Sequence, residues 1–196
     1  MGRKATVTKE QLLEAAYAIM DEDGYSNVNI KSIAARIGCS TQPVSWHFGS
    51  MPQLRRELYG YCQSKFWCGF EEKFGKMDAV DLFFDTGKNY LGIAFDHPKV
   101  FRFLYVDDPL WSEGRKVDPI EALGDPTLVS QIAAGFGVEA EKVAPVVRDV
   151  IIYTHGLAMF VMVDSLSISR EEAYGMIYNE GRQRLLAIGI DIGEMK

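Results

Sequence analysis

Residues 8–58 hold three short helix patterns joined by turns of only a few residues and run into a fourth, and this restricts the fold more than any other feature of the chain. A short helix recovers little of its nucleation cost by length, so its ends must be specified by side chains. Thr8 followed by Gln11 has capping-box spacing, with the hydroxyl serving one orphan amide and the Gln side chain returning to the cap. Leu12, Ala16, Ile19 and Met20, with Leu13 and Ala15 alongside, recur at three- and four-residue intervals and give that helix an apolar face. Gly24 is expected to end it in the left-handed conformation, with Tyr25 packing back on Met20. Asp21-Glu22-Asp23 lies at the negative helix end, an unfavourable placement of ~0.3–1 kcal/mol per charge that the Gly stop must outweigh.

Asn29 is the next cap, and Ile30, Ile33, Ala34 and Ile37 form the buried side of a helix of about two turns closed by Gly38. Only Cys39 then precedes Ser40, the expected cap of a third helix, and so tight a turn forces the two helices to cross. Pro43 falls in the first turn of that helix, where its missing amide hydrogen has no intrahelical partner. Ser50 with Gln53 repeats the capping-box spacing, Pro52 again sits in a first turn, and a longer helix follows through Leu54, Leu58, Cys62, Phe66 and Phe70 to about Phe74.

Val44 and Phe48 are expected to turn the third helix toward a small core, leaving an exposed helix of a shape that enters the DNA major groove. Its polar leading residues Thr41, Gln42 and Ser45 are candidates for reading base edges, and a Gln paired bidentately with adenine discriminates by about 1–3 kcal/mol. Trp46 and His47 are placed to reach sugar and phosphate, with Ser40 and Pro43 at the leading end. Lys4 in the N-terminal arm, Lys31 and Arg55 complete the candidate DNA-binding set, and Arg3 and Arg56 are further cations.

Residues 8–60 resemble the DNA-binding domain of the TetR family of transcriptional regulators. The likeness is carried by Leu12-Leu13-Glu14-Ala15-Ala16, Gly24-Tyr25, Ile30-Lys31-Ser32-Ile33-Ala34 with Ile37-Gly38, and above all Trp46-His47-Phe48 before a capped helix. The resemblance implies an all-α chain. A helix-turn-helix DNA-binding domain over residues 1–50 precedes a helical ligand-binding and dimerisation domain over residues 51–196. It also implies a homodimer on a near-palindromic double-stranded DNA operator, acting as a repressor that a small, largely hydrophobic effector releases. Where relatives carry Tyr before the aromatic-His pair and Lys after the Phe, this chain has Ser45, Gly49 and Met51. Missing phosphate contacts flatten the salt dependence, by roughly 0.9 in log-log slope for each contact. The competing reading is a small-molecule or protein-binding module of the same fold with weak or lost DNA binding.

Charge distribution bears on the same question. The net charge is −6, but residues 1–56 carry seven Lys and Arg against five Asp and Glu, and the remainder fourteen against twenty-two. A mildly basic head on an acidic body presents the head to DNA.

Beyond residue 75 the periodicity predicts helices only. Asp78 caps one whose apolar face is Val80, Phe84, Gly87, Leu91 and Phe95, ending at His97-Pro98. A short helix near 101–105 and a loop over 107–119 follow. Another short helix is expected over 127–136, closed by Gly135 and Gly137, then a long one from about Glu139 to Val163. Ser169 with Glu172 opens a last helix ending at Gly189. The resemblance, carried here by Tyr90 to Pro98, Phe101-Arg102 and His155-Gly156, implies that the last two helices form a four-helix bundle with their mates. Val143, Val147, Val150, Ile151, Leu157 and Val161, with Ala173, Ile177, Gly181, Leu185 and Ile188, supply its apolar surface.

Phe66, Phe70, Tyr90, Phe95, Trp111, Tyr153, His155 and Met159 are the candidate lining of an apolar ligand cavity with a few polar anchors. Singly, each also reads as ordinary core, and His155 reads first as a histidine bonded across helices. No nucleophile elbow, phosphate-cradling Gly loop or dinucleotide fingerprint is present, so an enzyme is not expected. Neither cofactor nor metal site is expected. Three cysteines without CxxC spacing suit a reducing cytoplasm. The apolar run Val150–Val163 reads as too short to span a bilayer, and no membrane association is expected.

Overall fold

The computed structural model describes residues 7–68, 77–107, 116, 118–123 and 126–193, and every α or β element among them is an α-helix. In chain order these are α1 (Lys9–Asp23), α2 (Ile30–Ile37), α3 (Thr41–Phe48), α4 (Met51–Trp67), α5 (Ala79–Asp96), α6 (Pro98–Tyr105), α7 (Pro119–Leu123), α8 (Pro126–Phe136), α9 (Ala140–Met162) and α10 (Arg170–Ala187). The chain is all-α, with further helices after its N-terminal domain. It divides into two compact units, one of residues 1–68 with 99–110 and one of residues 69–98 with 111–196. By contact, the boundary expected after residue 50 is not where the units part: α4 and the 99–110 segment group with the helices before it.

In the first unit side-chain caps hold α1, α2 and α4. Thr8 Oγ1 accepts from Gln11 N at 3.2 Å while Gln11 Oε1 accepts from Thr8 N at 3.0 Å. Asn29 Oδ1 accepts from the amides of Lys31 and Ser32 at 3.0 Å each, and Ser32 Oγ accepts from Asn29 N. Gly38, at φ 77° and ψ 32°, closes α2 in a Schellman turn: Cys39 N donates to Ala34 O and Gly38 N to Ala35 O. Leu12, Ala16, Met20, Ile33, Val44, Leu54 and Leu58 meet in the core beneath, each nearly inaccessible to water. Burial of an aliphatic side chain of this size stabilises by roughly 1.5–3 kcal/mol.

Two local expectations need correction. Gly24 ends α1 not in the left-handed helical region but at φ 89° and ψ 159°, a backbone state open in practice only to glycine. Tyr25, next in the chain, lies against Phe103, with ring centroids 4.7 Å apart. Ser50 does cap α4 by accepting from Gln53 N at 3.3 Å, but Gln53 does not reciprocate. Its side-chain amide donates instead to Glu57 at 3.1 Å, a carboxylate that also pairs with Lys9.

The second unit is built from longer helices at close range. α9 packs on α5, α8 and α10, and α10 crosses α5 at Gly181, where a Cβ would stand 2.7 Å from ring carbons of both Phe83 and Phe84. Gly135 lies inside α8 rather than closing it, and a Cβ there would meet Ala79 at 2.6 Å; Gly137, at φ 66°, makes the exit. At the end of α5, Arg170 pairs with both Asp96 oxygens (2.6 and 3.1 Å) and lies over the Phe95 ring. That hydrogen-bonded guanidinium holds the Asp96 carboxyl below its ordinary range.

The apolar faces expected to be surplus on the last two helices are this unit's own core. Val143, Val147, Val150, Leu157, Ala173, Ile177, Gly181 and Leu185 are buried within it, and Ile151, Val161 and Ile188 partly so. What remains exposed is a different set: Ile152, Phe160 and Val163 on and just after α9, and Met176 and Leu186 on α10. The expected length of the apolar run is also corrected. At 23 residues, α9 is long and apolar enough to cross a membrane by length and composition alone, a test that the core helix of a soluble protein also passes.

Candidate nucleic-acid interface

α2 and α3 cross over the first unit's core, and α3 is anchored by two side chains one turn apart. Val44 is fully buried and Phe48 nearly so, which fixes the rotation of the helix about its axis. The opposite face is therefore determined. Thr41, Gln42, Ser45 and Trp46 are exposed, and Pro43 is half-buried at the leading turn. Trp46 is 78% exposed, the most open large apolar side chain among the described residues. An indole in water is a poor arrangement for the isolated molecule and a natural one for a helix that meets a partner.

Ser40 sits at the cap position, but its side chain accepts no amide of α3. The first-turn amides of α3 are left without that cap, the arrangement in which a helix N-terminus receives an anion. Cys39 Sγ donates to the Ser40 carbonyl at 3.2 Å, so the tight turn is closed from the thiol side.

His47 is half-buried, and its Nε2–H donates to the Val7 carbonyl at 3.2 Å, tying the chain ahead of α1 to the end of α3. Trp46 lies edge-on to it with ring centroids 4.6 Å apart. His47 thus orients the indole and anchors the base of the N-terminal arm. Lys4 and Arg3 lie outside the described residues.

Of the other candidate cations, Lys31 is exposed on the first turn of α2. Arg55 is not turned toward a ligand. Its guanidinium lies over the rings of Tyr25 (4.7 Å) and Phe103 (4.9 Å), and Nη2 donates to the Asp107 carbonyl at 2.6 Å. Arg36 is held by Glu22 through two bonds of 2.5 and 2.6 Å, and the paired guanidinium lowers the Glu22 carboxyl. Among the described head cations, Lys31 and Arg56 show no such engagement.

The residues expected to line a ligand cavity divide between the units. Phe66 belongs to the first, packing toward Tyr17 at 6.3 Å. Tyr90, Phe95, Tyr153, His155 and Met159 belong to the second, and Phe70 and Trp111 lie outside the described residues. Tyr90 and His155 are brought together: Tyr90 Oη and His155 Nδ1 share a hydrogen bond of 2.8 Å between α5 and α9. Burial holds the imidazole below its ordinary value of 6.5, and hence neutral near pH 7. Thr154, buried beside it, packs against Gly87 of α5, a polar neighbour that the sequence reading did not single out. Only the contact itself reveals Thr154, because a lone Thr in an apolar helix carries no distinguishing pattern.

Residues 12–58, from the core of α1 to Leu58 of α4, match the family model described as bacterial regulatory proteins, tetR family. No curated protein matches the chain significantly.

Proposed function

Because the chain belongs to the tetR family of bacterial regulatory proteins and is a DNA-binding transcriptional regulator, we propose that it is a repressor acting as a homodimer on a near-palindromic operator. A small, largely hydrophobic effector releases it. The observation that carries this reading is the orientation of α3, whose buried Val44 and Phe48 present Thr41, Gln42, Ser45 and Trp46 together to solvent. Gln42 reads a base edge, Thr41 and Ser45 support it, and Trp46 and His47 meet sugar and phosphate. Ser40, Pro43, Lys31 and the arm residue Lys4 hold the helix end against the backbone. Arg55 leaves this set, since its guanidinium is engaged within the unit.

Two recognition helices reach successive major grooves only if paired at about 34–36 Å. Support for pairing comes from the exposed Ile152, Phe160, Val163, Met176 and Leu186 of α9, its C-terminal boundary and α10. Light scattering is expected to return twice 22.0 kDa, and Phe160→Glu to return 22.0 kDa. A monomeric parent protein would remove the dimer. For the effector, the support is the aromatic and Met content of the second unit with the polar Tyr90–His155 pair, and an effector acts only through its differential affinity for the DNA-competent state.

Retardation of a fragment from the chain's own upstream region, released by titrated small molecules, tests the whole reading. Gln42→Ala is expected to relax base preference at one position in each half-site, at about 1–3 kcal/mol. An unchanged preference removes Gln42. The second reading, a module that has lost DNA affinity, is favoured by the internal engagement of Arg36 and Arg55 together with Gly49 and Met51 where relatives carry Lys. It predicts no preference for any genomic fragment over random duplex.

A further inference from the structure

Residues 99–107 lie far along the chain from the DNA-binding helices, yet they complete the same compact unit. Phe103 is buried, stacks on Tyr25 and lies 6.4 Å from the Tyr59 ring of α4. Lys99 donates to the carbonyl of Glu22 at the end of α1, and Trp67 Nε1–H donates to Tyr105 Oη at 3.1 Å. Arg55 of α4 joins these pieces. One planar cation lies against Tyr25 and Phe103 and reaches the Asp107 carbonyl, so a single side chain bonds α4, the α1–α2 connection and the end of the 99–107 segment.

Tyr25 begins the short 3-10 turn Tyr25–Asn27 that leads to the α2 cap. The turn is itself tied on both sides. Asn27 Nδ2 donates to Asp23 O at 2.8 Å, and Ser32 Oγ donates to Asn27 O at 2.8 Å. Displacing Tyr25 therefore loosens the cap that sets α2, and α3 crosses α2 through a turn too tight to absorb the change.

We propose that Arg55 is a positioning residue: it fastens residues 99–107 to Tyr25 and α4, and this clasp holds α2 and α3 in their DNA-competent orientation. The head of this chain is thus completed by a segment distant in sequence. The DNA part of the proposal rests on the function proposed above; the structural part stands independently.

The test uses the full chain, with Arg55→Gln to remove the cation and Phe103→Leu to remove the ring face while the positive charge stays. Hydrogen exchange is expected to rise roughly thirtyfold, the fold-change for a desolvated cation–π contact, in peptides covering 24–37 and 99–107 of both variants. Peptides from α9 and α10 should be unchanged. Operator affinity should fall in both variants without a change in the slope of log affinity against log salt. Two results would overturn the proposal. One is unchanged exchange over 24–37 in Arg55→Gln. The other is a salt slope shallower by about 0.9 in Arg55→Gln alone, the signature of a phosphate contact. If the parent protein retards no DNA, the repressor reading fails and the exchange result still decides the clasp.

Discussion

The two units solve the same problem, a stable bundle of helices, with a different emphasis. In the first, order comes largely from side chains at helix ends, Thr8 with Gln11 on α1, Asn29 with Ser32 on the eight-residue α2 and the left-handed Gly38 that closes it, while the eight-residue α3 is held by its buried Val44 and Phe48. In the second, α9 runs for 23 residues from Glu139, whose side chain makes no capping bond, and order comes from helices brought into contact at Gly181, Gly135 and Gly87. Helix ends weigh most where the helix is short, because the unsatisfied groups per terminus are the same whatever the length. Side faces weigh most where it is long.

The sharpest way to break this contrast is Gly181→Val. With both Phe rings already 2.7 Å from a Cβ position, it should cost about 3 kcal/mol, at the upper end for overpacking, measured as a lowered denaturation midpoint of second-unit helices. A neutral result would mean that the α5–α10 crossing gives way freely. Next come paired cap deletions. Asn29→Ala should cost about 1–2 kcal/mol, since it removes the acceptor for two amides, and Glu139→Ala close to nothing; equal losses would erase the distinction.

Smaller still is a comparison within the head. Ser50→Ala should cost about 0.5–1 kcal/mol through a real cap bond, whereas Ser40→Ala should leave the thermal midpoint unmoved and weaken only DNA binding. A clear loss of stability in Ser40→Ala would show a capping role in solution. The smallest effect is one of pH. Burial lowers the His155 pKa below 6.5, so the unfolded chain binds the proton more tightly than the folded one. Its contribution to stability is complete above pH 6.5 and is lost as pH falls through the lower folded-state value. His155→Gln should flatten the decline of the thermal midpoint between pH 7 and pH 5, and an unchanged slope would assign that decline to other groups.

Legibility in the sequence followed the range of the contact. Caps at Thr8, Asn29, Asp78 and Ser169 stand in the structure, as do the buried Val44 and Phe48 that orient α3. Each is a relation between residues three or four apart. The fate of Arg55 was not legible: as a cation beside a DNA-binding helix it reads as a phosphate contact, and only the arrival of Phe103 and Asp107 engages it elsewhere. The apolar faces of α9 and α10 were visible, but not which neighbour covers them. Gly135 likewise reads as a terminator until Ala79 is found against it.

The sequence by itself determined an all-α chain, the order and ends of its first helices and the face of α3 turned to solvent. Each of these depends on hydrogen bonds and packing within one or two helical turns. Only the tertiary structure decided that residues 99–107 complete the head, that Tyr90 meets His155, and which apolar residues of the last helices remain uncovered. Contacts between residues tens of positions apart leave no periodic trace along the chain, because they depend on how the helices converge and not on what each helix is.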